Sequence, residues 1–229
     1  MQNCQLTATQ LKTIAIVAML LDHIAWLFLP TQWIGAQIIH LFGRVTAPIM
    51  CFFIAEGYYY TSNRKKYLGR LLLFAAISHI PYVLCFAYPW YRTTSIMWSL
   101  SMGLLALYLV KSEKIKPWLK IVAFIGCCLL AYHADWSYRP VLWITAFGIF
   151  KGDFKKQMIA FSVIGLLTYV LDVKTWYAMG IFLVIPLLWM YKGGRGGNKS
   201  WQKWLFYIFY PAHLFLLYFL RIFLYNMSN

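Results

Sequence analysis

The stretch Leu11–Pro30, LKTIAIVAMLLDHIAWLFLP, is almost wholly apolar, yet it carries Asp22 and His23 side by side a little past its middle. As a helix, about 20 apolar residues cross a hydrocarbon core of roughly 30 Å, so the run reads as a first membrane span. Ionisable groups at that depth are costly and usually face a bundle interior or a wet cavity. The pair therefore marks the span as a candidate for function as well as for anchoring. No short basic region precedes the stretch and no A-x-A site follows it, so it reads as a retained helix rather than a removable signal peptide.

The rest of the chain agrees with that reading. Of 229 residues, 62% are hydrophobic and 12% charged, with a mean hydropathy of +0.63, which is a membrane composition. A formal charge of +15 would suit nucleic acid, but such readers keep their basic residues on a solvated surface that this chain is too apolar to build. No nucleic-acid partner is expected. Cys4, Cys51, Cys85, Cys127 and Cys128 lie mostly in apolar runs without CxxC or Cys/His spacing, so neither disulfides nor a metal site is expected. The fold class is all-α: one domain over residues 1–229, a polytopic helical bundle in a lipid bilayer.

Nine apolar runs cover about 11–29, 34–60, 67–88, 95–110, 118–134, 139–150, 157–171, 176–191 and 204–225. The second contains Gly43 and Pro48 and reads as an outer segment followed by a kinked span. The sixth and seventh are short. Fifteen of the 21 Lys and Arg fall in alternate connections, around Arg64–Arg70, Lys111–Lys120, Lys151–Lys156 and Lys192–Lys203, while the others hold only Arg92, Arg139 and Lys174. By the positive-inside rule this places the N-terminus in the cytoplasm and, for nine spans, the C-terminus outside. The charge is thus mainly topological. No internal repeat suggests a transporter built from inverted halves.

Counting a rise of about 1.5 Å per residue, His23 and His79 lie roughly 18 Å, and His213 roughly 14 Å, from the cytoplasmic ends of their spans. Three of the five histidines share nearly one level. Lys12 precedes His23 by eleven residues, which returns to within about 20° of the same helix face. Asp22 points about 100° away from His23, which suits bracing a neighbouring helix or orienting a histidine on another span. Span 2, GRVTAPIMCFFIAEG, carries Arg44 in its outer half, able to hold a carboxylate or developing negative charge. Glu56 near its inner end suits structure, with substrate contact as the alternative. HADWSYRP sets Asp135 and Tyr138 at the outer end of span 5, where they would meet an amine or hydroxyl acceptor or cap a loop. YPAHL puts Tyr210 and His213 on one face. KGGRGGNK, Lys192–Lys199, lacks the Walker pattern and reads as a flexible basic loop.

Taken together, LKTIAIVAMLLDHI, FGRVTAPIMCFFIAEGYYYT, KKYLGRLLLFAAISHIPY, GLLALYL and FYIFYPAHL resemble the TraX family of integral-membrane acetyltransferases, over nearly the whole length. That family is similar in turn to acyltransferase family 3, whose first span carries an Arg or Lys, ten residues, then a catalytic His; Lys12 and His23 match. The resemblance implies a bacterial inner-membrane enzyme. It would move an acetyl group from cytosolic acetyl-CoA to an amine or hydroxyl on a protein N-terminus, a glycan or a small molecule, without a metal. It implies His23 as general base or acyl carrier, and Lys12, Arg64, Lys65, Lys66 and Arg70 as the attraction for the CoA phosphates. Asp22, Arg44 and His213 complete the catalytic set; His79, Ser99 and Tyr210 join Glu56, Asp135 and Tyr138 as substrate contacts. Where the family often has Ser-Glu-Ile-Pro, this chain reads SHIP, and Ile96 or Met97 and Ser99 replace the usual Asn and Thr. A homo-oligomer is left open.

Two other classes fit the same residues. A proton-coupled transporter would also place His, Asp and Arg at mid-depth, and an assembly scaffold would tolerate the loss of His23.

Overall fold

A computed structural model of the chain describes residues 5–194, 196 and 200–227. Cys4 and, in KGGRGGNK, Arg195, Gly197, Asn198 and Lys199 therefore lie outside the described residues. All nine apolar runs become helix, and no strand forms among the described residues. In chain order these are α1 (Ala8–Phe28), α2 (Ile34–Gly43), α3 (Thr46–Tyr60), α4 (Arg64–Cys85), α5 (Ile96–Val110), α6 (Pro117–Ala131), α7 (Arg139–Ile149), α8 (Phe154–Val173), α9 (Trp176–Trp189) and α10 (Ser200–Met227). Five helices are long and apolar enough to cross a membrane: α1, α2 continued by α3, α4, α8 and α10. The remaining four, α5, α6, α7 and α9, are shorter.

Local sequence sets the ends of these helices. Thr7 and Gln10 close a capping box at the start of α1. Asn63 caps α4 by accepting from the Lys66 amide at 2.8 Å, and Asp153 caps α8 through the Lys156 amide at 3.0 Å. The second apolar run breaks at Arg44 and Val45. Pro48 sits in the first turn of α3, where its missing N–H costs nothing.

The short helices form the centre. Eleven of fifteen residues of α3 are buried, ten of fifteen of α5 and eight of eleven of α7. In α6, by contrast, Cys127 and Ala131 alone are buried, and Trp118, Ile121, Ile125 and Leu129 turn outward, as lipid-facing side chains do. Around the centre, α1 packs on α2, α3 and α10, while α4 packs on α5 and α10. Rather than lying free outside the bundle, α2 folds back on the second half of α1. Its Gly43 is pressed so closely to α1 that an added Cβ would stand 2.5 Å from Asp22 Oδ1. On its other side Gly180 of α9 would place a Cβ 1.9 Å from the Leu41 carbonyl oxygen. Two glycines thus let three backbones meet around Asp22.

Candidate functional site

Asp22 and His23 have different partners. His23 Nδ1 lies 2.8 Å from His213 Nε2 on α10, with the two rings only 9° from parallel. His213 Nδ1 is in turn 2.8 Å from the Phe209 carbonyl oxygen. A carbonyl only accepts, so His213 Nδ1 carries the proton and, in the neutral ring, its Nε2 carries the lone pair. His23 must then donate from Nδ1, which leaves His23 Nε2 as the basic nitrogen. Phe86 meets the His23 ring edge-on at 5.4 Å, and Tyr210 meets His213 at 5.6 Å. His23 as a residue is half-buried.

Asp22 turns the other way, into α2. Its Oδ1 accepts from His40 Nδ1 at 2.8 Å, and Arg44 Nη2 reaches both carboxylate oxygens at 3.2 and 3.3 Å. Arg44 also donates from Nε to the His40 carbonyl at 3.2 Å and from Nη1 to Tyr169 Oη at 3.1 Å. Trp136 and Tyr177 lie over the guanidinium at 5.5 and 5.9 Å. The helix break puts Arg44 where it can reach back one turn and forward to α1. Tyr169 comes from a π-helical turn, Leu166–Val170, within α8, a device that shifts helical register by one residue. The whole knot is buried: His40 is 0% exposed, Asp22 and Arg44 9%.

The loop between α6 and α7 closes over this region. The Asp135 amide donates to the Thr94 carbonyl at 2.8 Å, and Ser99 Oγ lies 3.0 Å from the carbonyls of Ile96 and Asp135. Burial pushes the Asp135 carboxyl up to about 6, while the Arg44 charge and the Trp136 amide pull it down. His79 is held by Thr94 Oγ1 at 3.3 Å and does not join the His23 pair. Tyr138 stacks on Tyr132 at 6.4 Å, within the same loop.

At the opposite end the basic residues divide. Lys12 Nζ sits 4.9 Å from the Phe53 ring and 5.2 Å from that of Phe206 on α10; no carboxylate pairs with it among the described residues. Arg70 lies close to Tyr207, the next residue of α10. Arg64 and Lys65 instead line a recess with Tyr58, Leu68, Leu104 and Tyr108, against α5, and Lys66 is exposed. The five do not converge on one pocket. Glu56 is ion-paired with Lys151, tying α3 to the end of α7.

A family described as TraX protein matches residues 7–221. The chain belongs to the TraX family. It is 31% identical to a probable fimbrial assembly protein FimC, serogroup H1, of Dichelobacter nodosus, over 97% of this chain and 99% of that one. An uncharacterized protein, RP591, of Rickettsia prowazekii (strain Madrid E) is 24% identical over 56% of this chain and 47% of its own. No solved structure matches.

In this TraX chain sequence reasoning passed over His40 and Tyr169, both direct partners of the Asp22–Arg44 pair. His40 had a visible signal: it precedes Arg44 by four residues and so shares its face. Tyr169 had none, because a π turn cannot be counted from helical periodicity. Among the described residues no group of three or more His, Cys, Asp or Glu is placed to hold a metal.

Proposed function

We propose that this TraX protein is an acetyltransferase of the bacterial inner membrane. It would move an acetyl group from cytosolic acetyl-CoA to an amine or hydroxyl acceptor, with His23 Nε2 as general base. One observation carries this reading: the Phe209 carbonyl, His213 and His23 lie in a hydrogen-bonded row that leaves a lone pair on His23 Nε2. A thioester is already activated, so transfer needs a base for the acceptor proton, a donor for the carbonyl oxygen and exclusion of water. An apolar bundle around that nitrogen supplies the exclusion.

Lys12 supports a donor entry from below. It lies on the His23 face of α1, about 16 Å down the axis, a cation between two aromatic rings. Together with Arg70 it would attract phosphate groups, and Arg64, Lys65 and Lys66 would add to the positive field at the cytoplasmic surface. This reading takes the N-terminus as cytoplasmic, as the charge alternation favours. Asp22 and Arg44 act on the other side, holding α2 against α1. The full-length relative named for fimbrial assembly favours a protein subunit over a glycan or small molecule as acceptor.

The test is incorporation of label from acetyl-CoA by purified protein in lipid vesicles, with proton and solute flux followed in parallel. Release of CoA with labelled acceptor, and no flux, is expected. Flux without any use of acetyl-CoA would replace this reading with a proton-coupled transporter; neither activity would leave an assembly scaffold.

A further inference from the structure

A recess of about 240 Å³ opens where α3 and α5 end and α4 begins, lined by Tyr58, Arg64, Lys65, Leu68, Leu104 and Tyr108. It is smaller than the roughly 300–1,000 Å³ of a pocket that encloses a whole small molecule, so it suits one end of a longer ligand. Its two parts differ in kind. Arg64 and Lys65 are exposed, whereas the rest of the lining is two tyrosine rings and two leucines, with Tyr58 and Leu104 buried.

Arg64 is held in place before any ligand arrives. Its Nε donates to the Tyr58 carbonyl at 3.2 Å, and its guanidinium lies 4.3 Å from the centre of the Tyr58 ring. No carboxylate pairs with Arg64 or Lys65 among the described residues. Asn63 caps the first turn of α4, so the positive charge on offer is that of the two side chains. Because α4 is long and apolar enough to cross a membrane, its first turn, and with it the recess, falls at the level of the lipid headgroups. Further along, the lining continues as an apolar seam. Leu72 lies one turn on from Leu68 along α4, and Leu105 one turn back from Tyr108 along α5. Both are partly buried and pack on the small cluster that includes Met102, Ala106 and Cys127.

We infer that this recess is a binding site for an anionic phospholipid, with the phosphate held by Arg64 and Lys65 and the first acyl carbons laid over Leu68, Tyr108 and the seam beyond. Cations at headgroup level above an apolar seam match the two halves of such a lipid. Arginine takes phosphate oxygens through paired N–H donors, lysine adds a point charge, and basic pockets between membrane helices hold anionic headgroups in this way. A zwitterionic headgroup brings its own cation beside the same two charges and fits less well. The site stands apart from the acyl-transfer reading, and either can fail without the other.

The experiment uses full-length purified protein in detergent, with phosphatidylglycerol or phosphatidylcholine added, and follows retained lipid by native mass spectrometry together with the melting temperature. Wild type should retain phosphatidylglycerol in preference to phosphatidylcholine and melt higher with it. Arg64→Gln combined with Lys65→Gln should weaken that binding on the order of tenfold or more. Leu68→Trp, which keeps both cations and fills the apolar part, should weaken it as well. Lys114→Gln combined with Lys155→Gln, which removes two exposed charges outside the recess, should leave it unchanged. If the double recess variant does not fold, Lys65→Gln alone and Leu68→Trp decide. Recess variants that bind phosphatidylglycerol within about twofold of wild type overturn the inference, and so does an equal loss in the Lys114 and Lys155 variant, which makes the attraction a property of the whole basic surface. Displacement of the lipid by acetyl-CoA or by inorganic phosphate gives the recess to a soluble ligand and overturns it too.

Discussion

Two histidines in this bundle donate from the same ring nitrogen and do opposite things. His40 gives its Nδ1 proton to Asp22 and His23 gives its own to His213, so each is left with Nε2 as the basic atom. His40 is fully enclosed, its Nε2 without a partner among the described residues, and Trp26 and Tyr177 lie against it. His23 is half-buried, and its partner is a neutral ring. A charged partner and complete enclosure make His40 part of a structural knot. A neutral partner and partial access leave His23 free to exchange a proton. Adjacent residues of one helix thus anchor both regions: Asp22 serves the knot, and in the proposed reaction His23 serves the chemistry.

The comparison breaks most visibly at Arg44. Arg44→Ala leaves the Asp22 charge buried without its counter-ion, which should cost roughly 3–5 kcal/mol of stability, read as a fall in melting temperature in detergent. Replacing both partners, as Asp22→Asn with Arg44→Met, should recover a large part of that loss, since a removed pair costs far less than a broken one. A smaller effect, confined to rate, is expected at the other end. His213→Ala removes the acceptor for His23 Nδ1–H and frees the ring to change tautomer. Turnover should fall on the order of 10²-fold with little change in melting temperature. His213→Gln, whose amide oxygen can accept the same proton, should restore part of the rate. Equal loss of stability in the Arg44 and His213 variants would erase the distinction between the two regions.

Much of this was legible in the sequence, for identifiable reasons. Each of the nine apolar runs is helical, the second in two pieces, α2 and α3, and five of the helices are long and apolar enough to cross a membrane. That His23 and His213 share one level followed from residue counting, and they are in contact. His79 shares that level too but lies against Thr94, because depth says nothing about which helices are neighbours. The divergence of Asp22 from His23 followed from helical rotation. His40 was missed because its helix ends at Arg44, so no continuous count ran from a membrane surface to it. The basic residues of α4 read as one cluster in sequence, yet Arg70 faces α10 while Arg64 and Lys65 face α5; a helix sends neighbours to different partners.

The most direct measurement sets His23→Ala beside His40→Ala in a single acetyl-CoA turnover assay, with the melting temperature of each recorded. The expected result is that His23→Ala abolishes turnover while melting like wild type, and that His40→Ala melts lower yet keeps measurable turnover. Full turnover in His23→Ala would contradict the assignment of His23 as the base.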